Sequence, residues 1–474
     1  MKRLLLILLF WLVNSDAAQV GEITSYFNGG DWVLDFDENA AKTYLDTVHD
    51  FGGTTYSLGY IETAPDSYRY FIQSHTSIGQ ANTAFGNGLS YVFLSSQLNN
   101  YTGQLTGQLT YTNQQTILVA IGMGNFVGVH HLDQSGNQED SQQLYFNDLV
   151  AQHNGPLLVR DILYIPDHNS FPKTIVVTEV EWNNLGETDF GAALLDLIAN
   201  NEIEYNAAFG SSGRVMCAHD HTSNPNFIYS PDSPAAAVYL SQSETVIIGG
   251  TAYEHNGRNQ AFCEFNMNNG QLASKWSTQG FFFFEANQEW ATSMLIDESH
   301  AEPLLYVGGS ITGDGGLDFV VFRYKKDNMN QWQIDSNFST GGYISIGFNE
   351  PWSLAPALDV GSHLIRQNNG NLLIGGTTFW DSTTSELSHI NLAQINTDGD
   401  ILNNWGQQFG RIGLIWKDSP TDEFPKEHLD GLLLAANEDI IVSGTLTGLT
   451  NQGQIQLGSI ARLYNDPLFK SDFD

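Results

Sequence analysis

Apolar residues in this chain fall in short runs that recur in a fixed order. A first apolar segment, such as Ala235–Leu240, precedes a turn. A second, β-branched run follows at Thr245–Gly250, with counterparts at 116–120, 174–177, 304–309, 371–376 and 439–444. A third segment alternates apolar and polar residues at 260–265, 319–324, 390–395 and 460–464. A tight turn rich in Asn, Asp and Gly then leads to a fourth segment and an aromatic–glycine anchor; Asn268–Gly270 and Asn396–Asp400 are such turns. An unbroken apolar run predicts a strand covered on both faces, and alternation predicts a strand with one covered face. Amphipathic helical spacing of useful length is missing. The anchors are Phe27–Gly30, Phe85–Gly88, Phe209–Gly213, Trp276–Gly280, Phe338–Gly342 and Phe409–Gly413, with a worn copy at Phe146. They recur about every 60 to 70 residues, the regime of stacked or radially arranged units.

Four short strands per unit predict an all-β propeller. The segment at 21–26 reads as a fourth strand with no blade of its own, and 458–464 as a third strand followed only by a tail. The expectation is a ring of seven four-stranded blades, closed where Ile23–Phe27 pairs with the blade containing Ile440–Tyr464.

The segments Phe319–Tyr324, Ile460–Tyr464 and Phe209–Gly213 resemble the repeat unit of the delta-60 family of bacterial, exported β-propellers. The resemblance covers most of 200–465 and fades over 20–200. It implies a structural repeat, with no catalytic residues to carry over. The Gly-Gly doublets at Gly249, Gly308 and Gly375 also resemble kelch repeats, which rank second because the kelch Tyr and Trp are not at constant spacing.

Residues 1–17 read as a secretory signal peptide, with Lys2 and Arg3 before the apolar run Leu4–Val13 and small residues at Ser15 and Ala17. That leaves 18–474 as a single propeller domain, secreted or periplasmic after cleavage. The balance of 18 basic against 53 acidic residues, a net charge of −35, argues against a nucleic-acid surface and an anionic membrane. Self-repulsion of this size also favours a monomer. Cys217 and Cys263 are the two cysteines of an exported chain, and the sequence leaves their pairing open.

Candidate chemistry is sparse. Cys217, His219 and His221 alternate on one extended segment and form a weak metal site without an evident fourth ligand, so neither metal nor cofactor is expected. Long connections fall at Cys217–Pro234, Phe348–Ser362 and Trp416–Asp430, all opening on one face. Trp182, Trp352, Trp380 and Trp416 on that face are candidate anchors for a protein or glycan, because aromatic rings stack on sugars and dominate interfaces. The first expectation is therefore a binding module. The alternative is a polysaccharide hydrolase or lyase using His363, His428 and Asp430 at the channel mouth. A compact group of ionisable side chains in the channel would favour the enzyme.

Overall fold

A computed structural model describes residues 31–33 and, apart from loop segments, 42–463. The segments 1–30, 182–187, 218–231, 274–280, 349–356, 380–387, 406–410, 415–425 and 464–474 are among those outside it. The fold is an all-β propeller. Among the described residues helix is confined to 3-10 conformation, at Gly86–Gly88 and at Asn201, and no helix is long and apolar enough to cross a membrane.

The strands form antiparallel meanders laid down in chain order. The first holds β2 (Lys42–Phe51), β3 (Thr54–Ala64), β4 (Ser67–His75) and β5 (Tyr91–Phe93). Next come β6 (Gly107–Tyr111), β7 (Ile117–Gly122), β8 (Val127–Leu132) and β9 (Gln138–Leu144). They are followed by β10 (Leu157–His168), β11 (Phe171–Glu181) and β12 (Thr188–Leu197), with β13 (Ile203–Tyr205) and β14 (Arg214–Cys217) sharing the outer position. A further meander is β15 (Ser233–Leu240), β16 (Thr245–Glu254), β17 (Gly257–Asn266) and β18 (Phe281–Phe284). Then come β19 (Glu289–Asp297), β20 (Leu304–Gly313) and β21 (Gly316–Lys326), again with a split outer strand, β22 (Trp332–Ile334) and β23 (Tyr343–Ile346). Beyond them lie β24 (Leu358–Arg366), β25 (Leu372–Phe379), β26 (Ser388–Ile395) and β27 (Arg411–Leu414). The last meander is β28 (Lys426–Leu434), β29 (Ile440–Thr450) and β30 (Gly453–Leu463). Along the outer side of β30 lies β1 (Asp31–Val33), with Asp31 opposite Ala461. The sequence expectation put this pairing at Ile23–Phe27, which lies outside the described residues.

The first strand of each meander packs on the first strand of the next. The order is β2 on β6, then β10, β15, β19, β24 and β28, and β28 packs back on β2. The hydrophobic cores sit between neighbouring meanders. One core joins Ile175, Val177 and Phe190 to Val246, Ile248 and Cys263. The β-branched second strands β7 and β25 need cover on both faces and are buried along almost their whole length.

The aromatic anchors have a definite job. Phe85, Phe146, Phe209 and Phe338 are fully buried. Phe209 and Phe338 lie where the outer strand breaks, between β13 and β14 and between β22 and β23. The next residue sends its N–H to the turn of the following meander: Gly86 to Ser135 O, Gly210 to Asn269 O and Ser339 to Asp398 O, at 2.7 to 3.0 Å. The third-strand arginines add a second tie. Arg323 pairs with Asp335 and reaches Thr397 O. Arg462 pairs with Asp439 and reaches Ser77 O, joining the last meander to the first. The anchors at Phe85, Phe209 and Phe338 are thus joints between units.

Cys217 on β14 and Cys263 on β17 form a disulfide, buried between two meanders.

Candidate functional site in the axial cavity

The ring of first strands encloses a cavity of about 790 Å³. Its wall is built by a repeated irregularity. Six first strands carry a one-residue bulge opposite their second strand, at Asp46, Arg160, Ala235, Thr292, Ser362 and Asp430. All six residues line the cavity. A bulged residue has no partner in the ladder, so its side chain is re-aimed away from the sheet faces. β6 has no such bulge and presents Gly107 at the wall.

Five of the six bulges have a sequence cause in the second strand; β11, opposite Arg160, holds no glycine. A Cβ at Gly309 would lie 1.7 Å from the Trp290 carbonyl oxygen. At Gly59, Gly250, Gly376 and Gly444 it would lie 2.1 to 2.5 Å from the carbonyl oxygens of Tyr44, Ser233, Val360 and His428. Each of these carbonyls belongs to the residue two before a bulge. Glycine is required there because the bulge drives a first-strand carbonyl into the space a side chain would fill. The Gly-Gly doublets are therefore the mark of a cavity-wall residue.

The wall is chemically uneven. Asp430 accepts a hydrogen bond from Thr445 Oγ1 at 2.6 Å, and His428 Nε2 lies 3.7 Å from its Oδ1. Burial raises the Asp430 carboxyl to about 6, against the opposing pull of His428 and Thr445. Asp46 is raised well above the usual carboxylate range, first by burial and then by repulsion from Asp430; a hydrogen bond from the Gly107 backbone works the other way. Asp46 Oδ2 is buried without a hydrogen-bond partner. The Tyr44 and Tyr60 rings stack at 4.6 Å and line the same wall. Burial lowers His363 to about 4, helped by repulsion from His428, so its imidazole is neutral at neutral pH. His363 Nδ1 lies 2.9 Å from Ser362 Oγ, and His428 Nδ1 lies 3.2 Å from Thr377 Oγ1.

Further round, Arg160 donates from Nε and Nη2 to Glu179 Oε2 at 3.0 and 2.6 Å, so its charge is balanced. Ser233 Oγ donates to the same oxygen at 2.8 Å. Pro234, Ala235 and Trp290 make a more apolar stretch, and the Arg258 guanidinium sits over the Trp290 ring at 4.7 Å.

Of the residues singled out from sequence, His363, His428 and Asp430 meet in this cavity. They lie on the inner strands β24 and β28, not in loops: the long connections end earlier than the chain pattern indicated, because their last residues are already strand. Trp182, Trp352, Trp380 and Trp416 lie outside the described residues, as do His219 and His221. Cys217 is corrected as a metal ligand, since its sulfur is bonded to Cys263. Among the described residues no three of His, Cys, Asp and Glu converge as a metal centre would require. Sequence reasoning missed Asp46, Tyr44, Tyr60 and Trp290.

No protein-family model matches the sequence, and no curated protein matches it. Among solved structures, the chain is similar to the subtype N11 neuraminidase-like protein of A/flat-faced bat/Peru/033/2010 (H18N11). That match has 11% identity and a TM-score of 0.39, covering 94% of this chain and 96% of the other. It is similar to an alpha-L-arabinofuranosidase from Fusarium graminearum at 12% identity and a TM-score of 0.40, covering 76% and 92%. It is equally similar to the S. cerevisiae core factor, at 11% identity and a TM-score of 0.40, covering 94% and 63%. Likeness at this level, spread over such different proteins, assigns neither family nor activity.

Proposed function

We propose that this is an exported, glycan-directed propeller of seven four-stranded blades, closed by an N-terminal strand on the last blade, with the axial cavity as its working site. The cyclic packing of first strands and the β1–β30 pairing support the ring. The buried disulfide supports an oxidising compartment.

The observation that carries the function is the pair Asp46 and Asp430. Two interacting carboxyl groups on adjacent inner strands are both raised by burial, Asp46 further by repulsion from Asp430, while His428 and Thr445 pull Asp430 back down, beside stacked tyrosines and a neutral imidazole. Carboxyls whose environments push them apart are suited to acid and base roles in one reaction. In the proposed hydrolysis, protonated Asp46 gives its proton to the glycosidic oxygen as the carbon–oxygen bond breaks. Ionised Asp430 takes a proton from the water that attacks the anomeric carbon. One carboxyl loses the proton that the other gains, and the pair is reset by exchange with solvent. Neutral His363 and the two tyrosines supply hydrogen bonds to sugar hydroxyls.

The test is hydrolysis of a panel of linear oligosaccharides by wild type, Asp46→Asn and Asp430→Asn. Each variant should lose roughly 100-fold or more in rate, the usual worth of a positioned acid or base, while still binding. Cleavage that survives both changes would remove the carboxyls from the mechanism. Tight binding without cleavage by the wild type would favour the binding-module reading, with its anchors at the four loop tryptophans.

A further inference from the structure

We infer that the cavity admits only the end of a glycan chain, a short terminus stacked on Trp290, and not an internal segment. The inference deepens the glycan reading above and rests on it. Its basis is topological. The first strands pack in an unbroken circuit from β2 through β28 and back to β2. The wall that carries Asp46 and Asp430 is therefore closed laterally by β-structure. A polymer can lie across an open cleft, but only a free end can be fed into an enclosed hole.

The size agrees. About 790 Å³ falls in the ~300–1,000 Å³ range of pockets that bury a drug-sized ligand, which means a few sugar rings. The wall chemistry then sets the orientation. The acidic side is formed by Asp46 and Asp430, the bulged residues of neighbouring strands. Ala235 and Trp290 lie on β15 and β19, across the circuit from that pair. Sugars have one C–H-rich face and a polar edge. The C–H face fits the Trp290 ring, which is backed by the Arg258 guanidinium, and the hydroxyl edge then turns toward the carboxyls. Trp290 is a binding residue in this scheme, separate from the four loop tryptophans.

The experiment measures binding and cleavage of linear gluco-, xylo-, manno-, arabino- and N-acetylgluco-hexasaccharides. Each is offered with free ends and with both ends blocked by bulky aromatic acetals or glycosides. Wild type should bind at least one free-ended series and lose tenfold or more in affinity when both ends are blocked. Trp290→Ala should lose a similar factor on the free-ended ligand, and Trp290→Phe should recover part of it. Equal binding of the blocked ligand, or release of internal fragments, overturns the chain-end inference and leaves the glycan reading standing. Unchanged affinity in Trp290→Ala overturns the stacking role. If wild type binds no free-ended series, the glycan reading itself falls, and this inference with it.

Discussion

Glu289 opens β19 next to Trp290, is fully buried, and neither carboxyl oxygen has a hydrogen-bond partner. Burial raises it from 4.5 to about 9. The folded chain therefore holds a proton on Glu289 at neutral pH, whereas the unfolded chain has released it. A group raised on folding contributes its full stability below the unfolded value and loses it as pH rises toward the folded value. The window here runs from about 4.5 to about 9. Inside it the cost grows by about 1.4 kcal/mol per pH unit. Between pH 5.5 and 7.5 this group alone should weaken the fold by roughly 3 kcal/mol. Glu289→Gln keeps the shape and cannot ionise. The assay is urea unfolding of wild type and Glu289→Gln at both pH values, followed by tryptophan fluorescence. The variant's advantage over wild type should be larger by roughly 3 kcal/mol at pH 7.5 than at pH 5.5. Two parallel pH curves would refute the reasoning, because they would mean that Glu289 titrates alike in both states.

Gly309→Ala should cost roughly 3 kcal/mol, since the new Cβ meets a backbone oxygen that cannot rotate away. Gly341→Ala, at φ +85° with open space around it, should cost only about 1 kcal/mol; equal effects in thermal melts would count against the bulge account. Reducing Cys217–Cys263, which are 46 residues apart, should destabilise by about 4 kcal/mol if loop closure governs, seen as a lower urea midpoint under reductant. Arg462→Ala breaks the pair with buried Asp439 and the tie to Ser77, and should lower the melting temperature more than Arg69→Ala, whose guanidinium stacks over Phe93. For the site, activity that depends on ionised Asp430 should rise with pH through about 6; Asp430→Asn should abolish that limb, and a limb that persists would assign it to another group.

The strand order was readable because it follows from period alone. Thr245–Gly250 and its counterparts are apolar on both faces, and each became a second strand between covered neighbours. The anchors were readable as a repeat, but their role was not: a buried Phe whose successor donates to the next unit's turn is a contact between segments far apart in the chain. His363, His428 and Asp430 were readable as ionisable residues near unit boundaries. Asp46 was not, because Leu45-Asp46-Thr47 looks like any half-exposed strand until the bulge opposite Gly59 is known. The pairing of Cys217 with Cys263 depends on which strands become neighbours, which spacing does not tell.

The bulge and its glycine have a consequence for how such a ring can change. The bulged side chain takes no part in strand pairing, and the glycine opposite accommodates only backbone. What stands at positions 46, 235, 362 and 430, each opposite such a glycine, is therefore decoupled from the strand ladder, whereas Thr292 also bonds to the Gly361 carbonyl of the next meander and Arg160 pairs with Glu179. Acid, hydroxyl and methyl already occupy these four places within one chain. Selection or design can rewrite the inner surface one position at a time, drawing on a scaffold whose stability is set elsewhere, while the glycines remain the fixed alphabet that says where rewriting is allowed.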